Sequence, residues 1–130
     1  MADKGGAILI VDDDPEFRGD LLDFLEGRGY PVFAARDATE AFRLMQLHAE
    51  IELLLTDVVI PGSINGFDLA AAAGRLRPGM KVVYMSGYAA ADLIGAALPE
   101  PPAILRKPFW FEKLHQVIGA TLALPHARGS

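Results

Sequence analysis

Short runs of apolar residues alternate along the chain with longer amphipathic segments, the mark of an α/β domain built on a parallel sheet. Five runs read as strands: Ala7–Val11 (AILIV), Pro31–Ala35 (PVFAA), Leu53–Thr56 (LLLT), Lys81–Met85 (KVVYM) and Ala103–Leu105 (AIL). The first, third and fourth are almost continuously apolar, as strands covered on both faces must be, and belong in the middle of the sheet. The second and fifth are weaker and are expected at its edges.

Helix signals fill the gaps between the runs. Asp14 is a candidate N-cap and Pro15 suits a first helical position; Phe17, Leu21, Leu22 and Leu25 then recur at helical spacing until Gly27 and Gly29 stop the segment. A second helix starts at Asp37, where Glu40 completes a loose capping pattern, and carries Ala41, Phe42, Leu44, Met45 and Leu47. The third spans Phe67 to Arg77 and ends at Pro78-Gly79; the fourth, Ala89 to Ala97, is rich in alanine and ends at Pro99. A fifth begins after Pro108 and carries Phe109, Leu114, Val117, Ile118 and Leu122. Residues 1–5 and 125–130 read as flexible ends of one domain spanning 6–124.

Composition agrees with a single folded unit. At 130 residues, with 52% hydrophobic and 22% charged positions, the chain is long enough to bury a core without a metal or disulfide staple. The absence of cysteine removes thiolate chemistry and Cys-ligated zinc. Lys and Arg total 12 against 17 Asp and Glu, a net charge of −5, which opposes attraction to a phosphate backbone; no nucleic-acid partner is expected. Ala7–Val11 is far shorter than the roughly 20 apolar residues that cross a bilayer, so a soluble, cytoplasmic protein with no membrane partner is expected.

In open α/β sheets, ligands bind beyond the carboxyl ends of the strands. The residues that follow the apolar runs are unusually polar: Asp12 and Asp13 after the first, Asp57 after the third, Ser86 after the fourth and Lys107 after the fifth. Taken singly, Asp12-Asp13-Asp14-Pro15 is also an ordinary turn with an N-cap, Ser86 a turn residue and Lys107 a solvated lysine. Asp57 is harder to dismiss, because it lies within Leu53-Leu54-Leu55-Thr56-Asp57-Val58-Val59-Ile60, where an unpartnered carboxylate is costly. Two carboxylates about 4 Å apart repel by about 4 kcal/mol at an effective dielectric of about 20, so three in one pocket need a compensating cation. With hard oxygen donors only, Mg²⁺ or Mn²⁺ suits the set better than Zn²⁺. That chemistry points to phosphoryl transfer with an Asp nucleophile that forms an acyl phosphate.

Ile8-Leu9-Ile10-Val11-Asp12-Asp13-Asp14, Leu55-Thr56-Asp57 with Pro61, Met85-Ser86-Gly87 and Lys107-Pro108-Phe109, in that order and at those separations, resemble a bacterial two-component response-regulator receiver domain. The resemblance implies a flavodoxin-like fold of five parallel strands in the order 2-1-3-4-5 with five flanking helices, an order already associated with such proteins. By position it implies that Asp57 accepts a phosphoryl group from a phosphohistidine of a histidine kinase or histidine phosphotransfer protein. Asp13 would bind Mg²⁺ directly, Asp12 through water, and Val59 through its backbone carbonyl; Lys107 and Ser86 would contact the phosphoryl oxygens, and the peptide before Pro108 would be cis.

The resemblance further implies a switch in which Ser86 moves toward the phosphoryl group and shifts the following loop. The readout surface would comprise the fourth predicted helix, the fifth strand and the fifth helix, open to a second copy or a downstream protein. Ile104 stands where an aromatic residue is common, which speaks against coupling through an aromatic rotamer there; Tyr88 and Tyr84 are candidates to contribute instead, and both read equally well as packing residues. The loop Gly62-Ser63-Ile64-Asn65-Gly66 is one residue longer than common, as in receivers of hybrid histidine kinases. Only Pro125–Ser130 follow the last predicted helix, so either a stand-alone receiver or a piece of a larger kinase is expected.

His48, His115 and His126 show no metal-ligand spacing, and Phe109-Trp110-Phe111 reads first as the start of a packed helix, with Trp110 also placed to reach a partner. Two other functions stay open. A Mg²⁺-dependent phosphatase or phosphotransferase of the haloacid-dehalogenase type also uses an Asp nucleophile, but Val59 stands where a second Asp would follow Asp57. A binding module indifferent to phosphorylation has no need of three gathered carboxylates. The leading expectation is a phosphorylatable signalling module whose only chemistry is on itself, not a dedicated enzyme.

Overall fold

In the computed structural model, which describes residues 6–87 and 103–124, five strands form one parallel sheet in the order β2-β1-β3-β4-β5. The strands are β1 (Ala7–Val11), β2 (Val32–Ala35), β3 (Ile51–Asp57), β4 (Lys81–Ser86) and β5 (Ala103–Arg106). Among the described residues there are four helices: α1 (Pro15–Gly27), α2 (Ala38–Leu47), α3 (Gly66–Leu76) and α4 (Phe111–Ala123). The fourth predicted helix, Ala89 to Ala97, lies outside the described residues, as do the two chain ends and His126. The last predicted helix is therefore α4.

The central strands are apolar on both faces because both faces are covered. Ile8 and Ile10 of β1 pack with Leu53 and Leu55 against Leu21 and Leu25 of α1 and Leu114 and Ile118 of α4. Leu9 and Val11 turn the other way, with Leu54, onto Met45 of α2 and Leu69 and Ala73 of α3. Each large aliphatic side chain so buried contributes about 1.5–3 kcal/mol, which makes β1 and β3 the thermodynamic centre of the domain. The weaker runs, β2 and β5, are the edges, as their composition predicts.

Several boundaries differ from the sequence reading, each for a local reason. β3 begins two residues earlier than expected, at Ile51, because Glu52 is the extra residue of an irregularity: Ala7 pairs with Ile51 but Ile8 pairs with Leu53. β2 begins at Val32, since Pro31 has no N–H to give the ladder and instead accepts from Ile8 through its carbonyl at 2.9 Å. α3 begins at Gly66 rather than Phe67. Asn65 caps it in a reciprocal box: its side chain accepts from the Asp68 N–H at 2.9 Å, and the Asp68 carboxylate accepts from the Asn65 N–H at 3.1 Å. The Asp14 and Asp37 caps lie where the sequence places them. Glu40, however, accepts from the Arg36 N–H at 2.8 Å, one residue before the cap. No helix of the described residues is long and apolar enough to cross a membrane.

Candidate functional site

Parallel strands all end on the same edge of the sheet, so residues far apart in sequence arrive together there. Asp12 follows the last residue of β1, Asp57 closes β3, Ser86 closes β4, and Lys107 follows β5. The Lys107 ammonium joins two of these ends, donating to Asp12 Oδ2 at 2.9 Å and to Asp57 Oδ2 at 3.0 Å. Asp12, Asp13 and Asp57 each offer a carboxylate oxygen within 4.8 Å of the others. One ammonium among three carboxylates leaves a surplus of negative charge, and a divalent cation of the hard, oxygen-seeking kind matches both the charge and the donor set.

The three carboxylates are not equivalent. Asp12 is buried and its oxygens are engaged, Oδ2 by Lys107 and Oδ1 by the Asp14 N–H at 2.9 Å. Asp13 is exposed. Asp57 gives Oδ2 to Lys107, while no hydrogen bond from a described residue reaches its Oδ1. Asp13 and the Oδ1 of Asp57 are thus the oxygens most available to an ion, and among the described residues no backbone N–H donates to the Val59 carbonyl. Burial pushes the Asp57 carboxyl above the ordinary carboxylate range, against the lowering effect of the Lys107 hydrogen bond and charge, with Asp12 adding to the rise. Burial works to lower Lys107, but its hydrogen bonds and charge interactions with Asp12 and Asp57 outweigh that and hold it above the ordinary lysine value.

A family model for the response regulator receiver domain matches residues 8–119 of this chain. The chain belongs to the response regulator receiver domains. It is 33% identical over 108 residues to the response regulator receiver protein CpdR of Brucella abortus (strain 2308), covering 82% of this chain and 88% of that protein. It is 32% identical over 110 residues to the sensor kinase CckA of the same organism, covering 82% of this chain and 11% of the kinase. The crystal structure of a CheY-like receiver domain protein from Methanospirillum hungatei JF-1 superposes with a TM-score of 0.80 at 32% identity, covering 92% of this chain and 94% of that one.

Other features of this receiver are now placed. The Lys107–Pro108 peptide is cis. Ser86 is buried, and its hydroxyl donates to the Gly87 carbonyl at 2.7 Å rather than to any of the carboxylates. Ile104 pairs in register with Tyr84, whose ring lies 5.0 Å from that of Phe67 on α3, so Tyr84 links the sheet to α3; Tyr88 lies outside the described residues. His48 stacks on Phe33 at 4.1 Å, and His115 meets the edges of Phe24 and Tyr30; neither approaches the acidic cluster. Trp110 is 82% exposed, just ahead of α4.

Three residues support the site in ways the sequence does not announce. Arg18 donates to the Asp12 carbonyl at 2.7 Å, tying α1 to the end of β1. Gly66 donates its N–H to the Val58 carbonyl at 2.7 Å and brings the start of α3 against the end of β3. Phe17, read only as a core-facing position of the first helix, lies with its ring centroid 4.6 Å from the Lys107 ammonium. The Asn65-x-x-Asp68 spacing was a readable signal for the α3 cap; the Phe17 contact had none, because its partner is 90 residues away in the chain.

Proposed function

We propose that this receiver accepts a phosphoryl group on Asp57 from a phosphohistidine carried by a histidine kinase or a histidine phosphotransfer protein, with Mg²⁺ or Mn²⁺ held by Asp12, Asp13 and Asp57 and the Val59 carbonyl. The observation that carries the reading is the Lys107 ammonium bridging Asp12 and Asp57 beside Asp13, one ammonium set among three carboxylates of the described residues, with negative charge in surplus. The Oδ1 of Asp57 attacks phosphorus as the P–N bond breaks, and the bonding pair leaves on the donor imidazole, which departs neutral when its other nitrogen carries a proton. When bound, the cation held by these residues would supply positive charge to the phosphoryl oxygens.

Lys107 already lies 3.0 Å from the accepting carboxylate and can transfer one of its hydrogen bonds to a phosphoryl oxygen. Ser86 closes β4 and exchanges its Gly87 carbonyl for the phosphoryl group by rotating its side chain. CckA, a sensor kinase by name, matches this chain over part of its length, which supports a partner in histidine-kinase signalling. The domain performs chemistry on itself and is not a dedicated enzyme. The net charge of −5 gives it no electrostatic reason to bind nucleic acid.

Incubation with acetyl phosphate and Mg²⁺ tests the reading. The expected product is the intact chain heavier by one phosphoryl group, formed only with the divalent ion present and lost in Asp57→Asn. Continuous turnover of phosphate esters would instead identify an enzyme, and no modification under any condition would identify a passive binding module; either result overturns the proposal.

A further inference from the structure

We propose that Phe17 is a positioning residue for phosphoryl transfer, holding the Lys107 ammonium over its ring face; the inference rests on the phosphoacceptor reading above. A lysine ammonium on four rotatable bonds does not stay between two carboxylates by attraction alone, since it can also turn toward water, and the Lys107 side chain is 28% exposed. Three contacts define where it sits: Asp12 Oδ2, Asp57 Oδ2 and the Phe17 ring, its centroid 4.6 Å from Nζ. The two carboxylates pull it toward the strand ends. The ring's negative face adds a third attraction from α1 and covers the ammonium with an apolar surface that excludes water from that side.

The ring is itself fixed. Phe109 meets it at 5.9 Å and 70° and Phe111 at 6.3 Å and 61°, both edge-on and both in the segment directly after Lys107. Phe111 in turn packs on Phe24, one α1 position among several that hold α4. The same five-residue stretch, Lys107 to Phe111, thus supplies the ammonium and the rings that orient its platform. The consequence appears when Asp57 becomes an acyl phosphate. It then has one fewer negative carboxylate oxygen to offer, and the ammonium must reach a phosphoryl oxygen without leaving the pocket. The ring face is uncharged, unaffected by the reaction, and holds the ammonium through that exchange.

Core packing alone would also place a Phe at position 17, and three variants separate the two roles. Phe17→Leu keeps an apolar side chain without a ring; Phe17→Tyr keeps the ring. The rate of acyl phosphate formation from acetyl phosphate and Mg²⁺ is expected to fall roughly three- to tenfold in Phe17→Leu, the range a partly exposed cation–π contact supplies, and to recover most of that loss in Phe17→Tyr. Magnesium affinity should change by less than about twofold in both, and the upfield ring-current shift of the Lys107 ε-methylene protons should vanish only in Phe17→Leu. An unchanged rate in Phe17→Leu, equal losses in both variants, or ε-proton shifts indifferent to the ring would overturn the positioning role while leaving the phosphoacceptor reading intact. Wild-type protein that takes no phosphoryl group would overturn both. Phe17→Ala, expected to lose packing as well, serves as the reference for damage to the fold, and a Phe17→Leu protein that melts with it would also count against the inference.

Discussion

Gly66→Ala should destabilise this receiver although the change is from the second-worst helix former to the best. At an open helical position, replacing Gly by Ala gains up to about 1 kcal/mol, from helix propensity and from a less flexible unfolded chain. A Cβ built on Gly66, however, falls 2.3 Å from the Asp57 carbonyl oxygen and 3.0 Å from Val58 Cα. Both are backbone atoms at the end of β3, so no rotamer change relieves the clash, and the start of α3 must withdraw by roughly 1 Å to reach ordinary contact. Withdrawal stretches the Gly66 N–H to Val58 carbonyl bond, now 2.7 Å. Overpacking of this kind costs about 1–3 kcal/mol. With the propensity gain set against it, a net loss of up to about 2 kcal/mol is expected, lowering Tm by up to roughly 10 °C in a domain of this size.

Gly74, on the same helix, and Gly119, on α4, have nothing within 4 Å of an added Cβ, and their Ala variants should gain up to about 1 kcal/mol each. Urea and thermal unfolding of the three single variants form the assay. Opposite signs on one helix are the signature; a Gly66→Ala protein as stable as Gly74→Ala would refute the steric argument. Because the displaced atoms belong to the strand end that carries Asp57, Gly66→Ala should also slow acyl phosphate formation, while Gly74→Ala should not.

Three further outcomes are expected. Burial holds the Asp57 carboxyl above the ordinary range, so between the ordinary carboxylate value and the raised one the folded state binds more protons than the unfolded state, and stability falls as pH rises through that window. In chelator, Asp57→Asn should therefore become more stable than wild type across the same window, and a difference between the two proteins that stays flat with pH would contradict the assignment. Lys107, held above the ordinary lysine value, contributes stability that is complete below that value and lost as pH climbs through its raised one. Asn65→Ala removes the side-chain acceptor of the Asp68 N–H and should cost about 1 kcal/mol in urea unfolding, with Asn65→Gly losing only a few tenths.

Much of the architecture was legible because it rests on local chemistry. An unbroken apolar run such as Ala7–Val11 can be satisfied only by cover on both sides, and Asp14 before Pro15 starts a helix in almost any setting. What was misplaced lay where one local signal masked another. Glu52 lies just before the apolar run Leu53–Thr56, yet its backbone sits in an irregularity that lets Ile51 join the sheet. Asn65 reads as part of a loop, yet it is the residue that ends the loop and caps α3. The polar residues at the strand ends were found because parallel strands must deliver them to one edge.

Composition and hydrophobic period by themselves determined the fold class, the central and edge strands, and which side chains meet at the carboxyl end of the sheet, because each follows from burying apolar surface at a fixed spacing. Only the tertiary structure decided how those side chains divide the work. Lys107 joins Asp12 across 95 positions and Asp57 across 50, Arg18 and Gly66 brace the strand ends, and Phe17 supplies the face beneath the ammonium. Hydrogen bonds and cation–π contacts act over a few ångströms, and which groups come within that range is settled by strand order and helix packing rather than by any spacing along the chain.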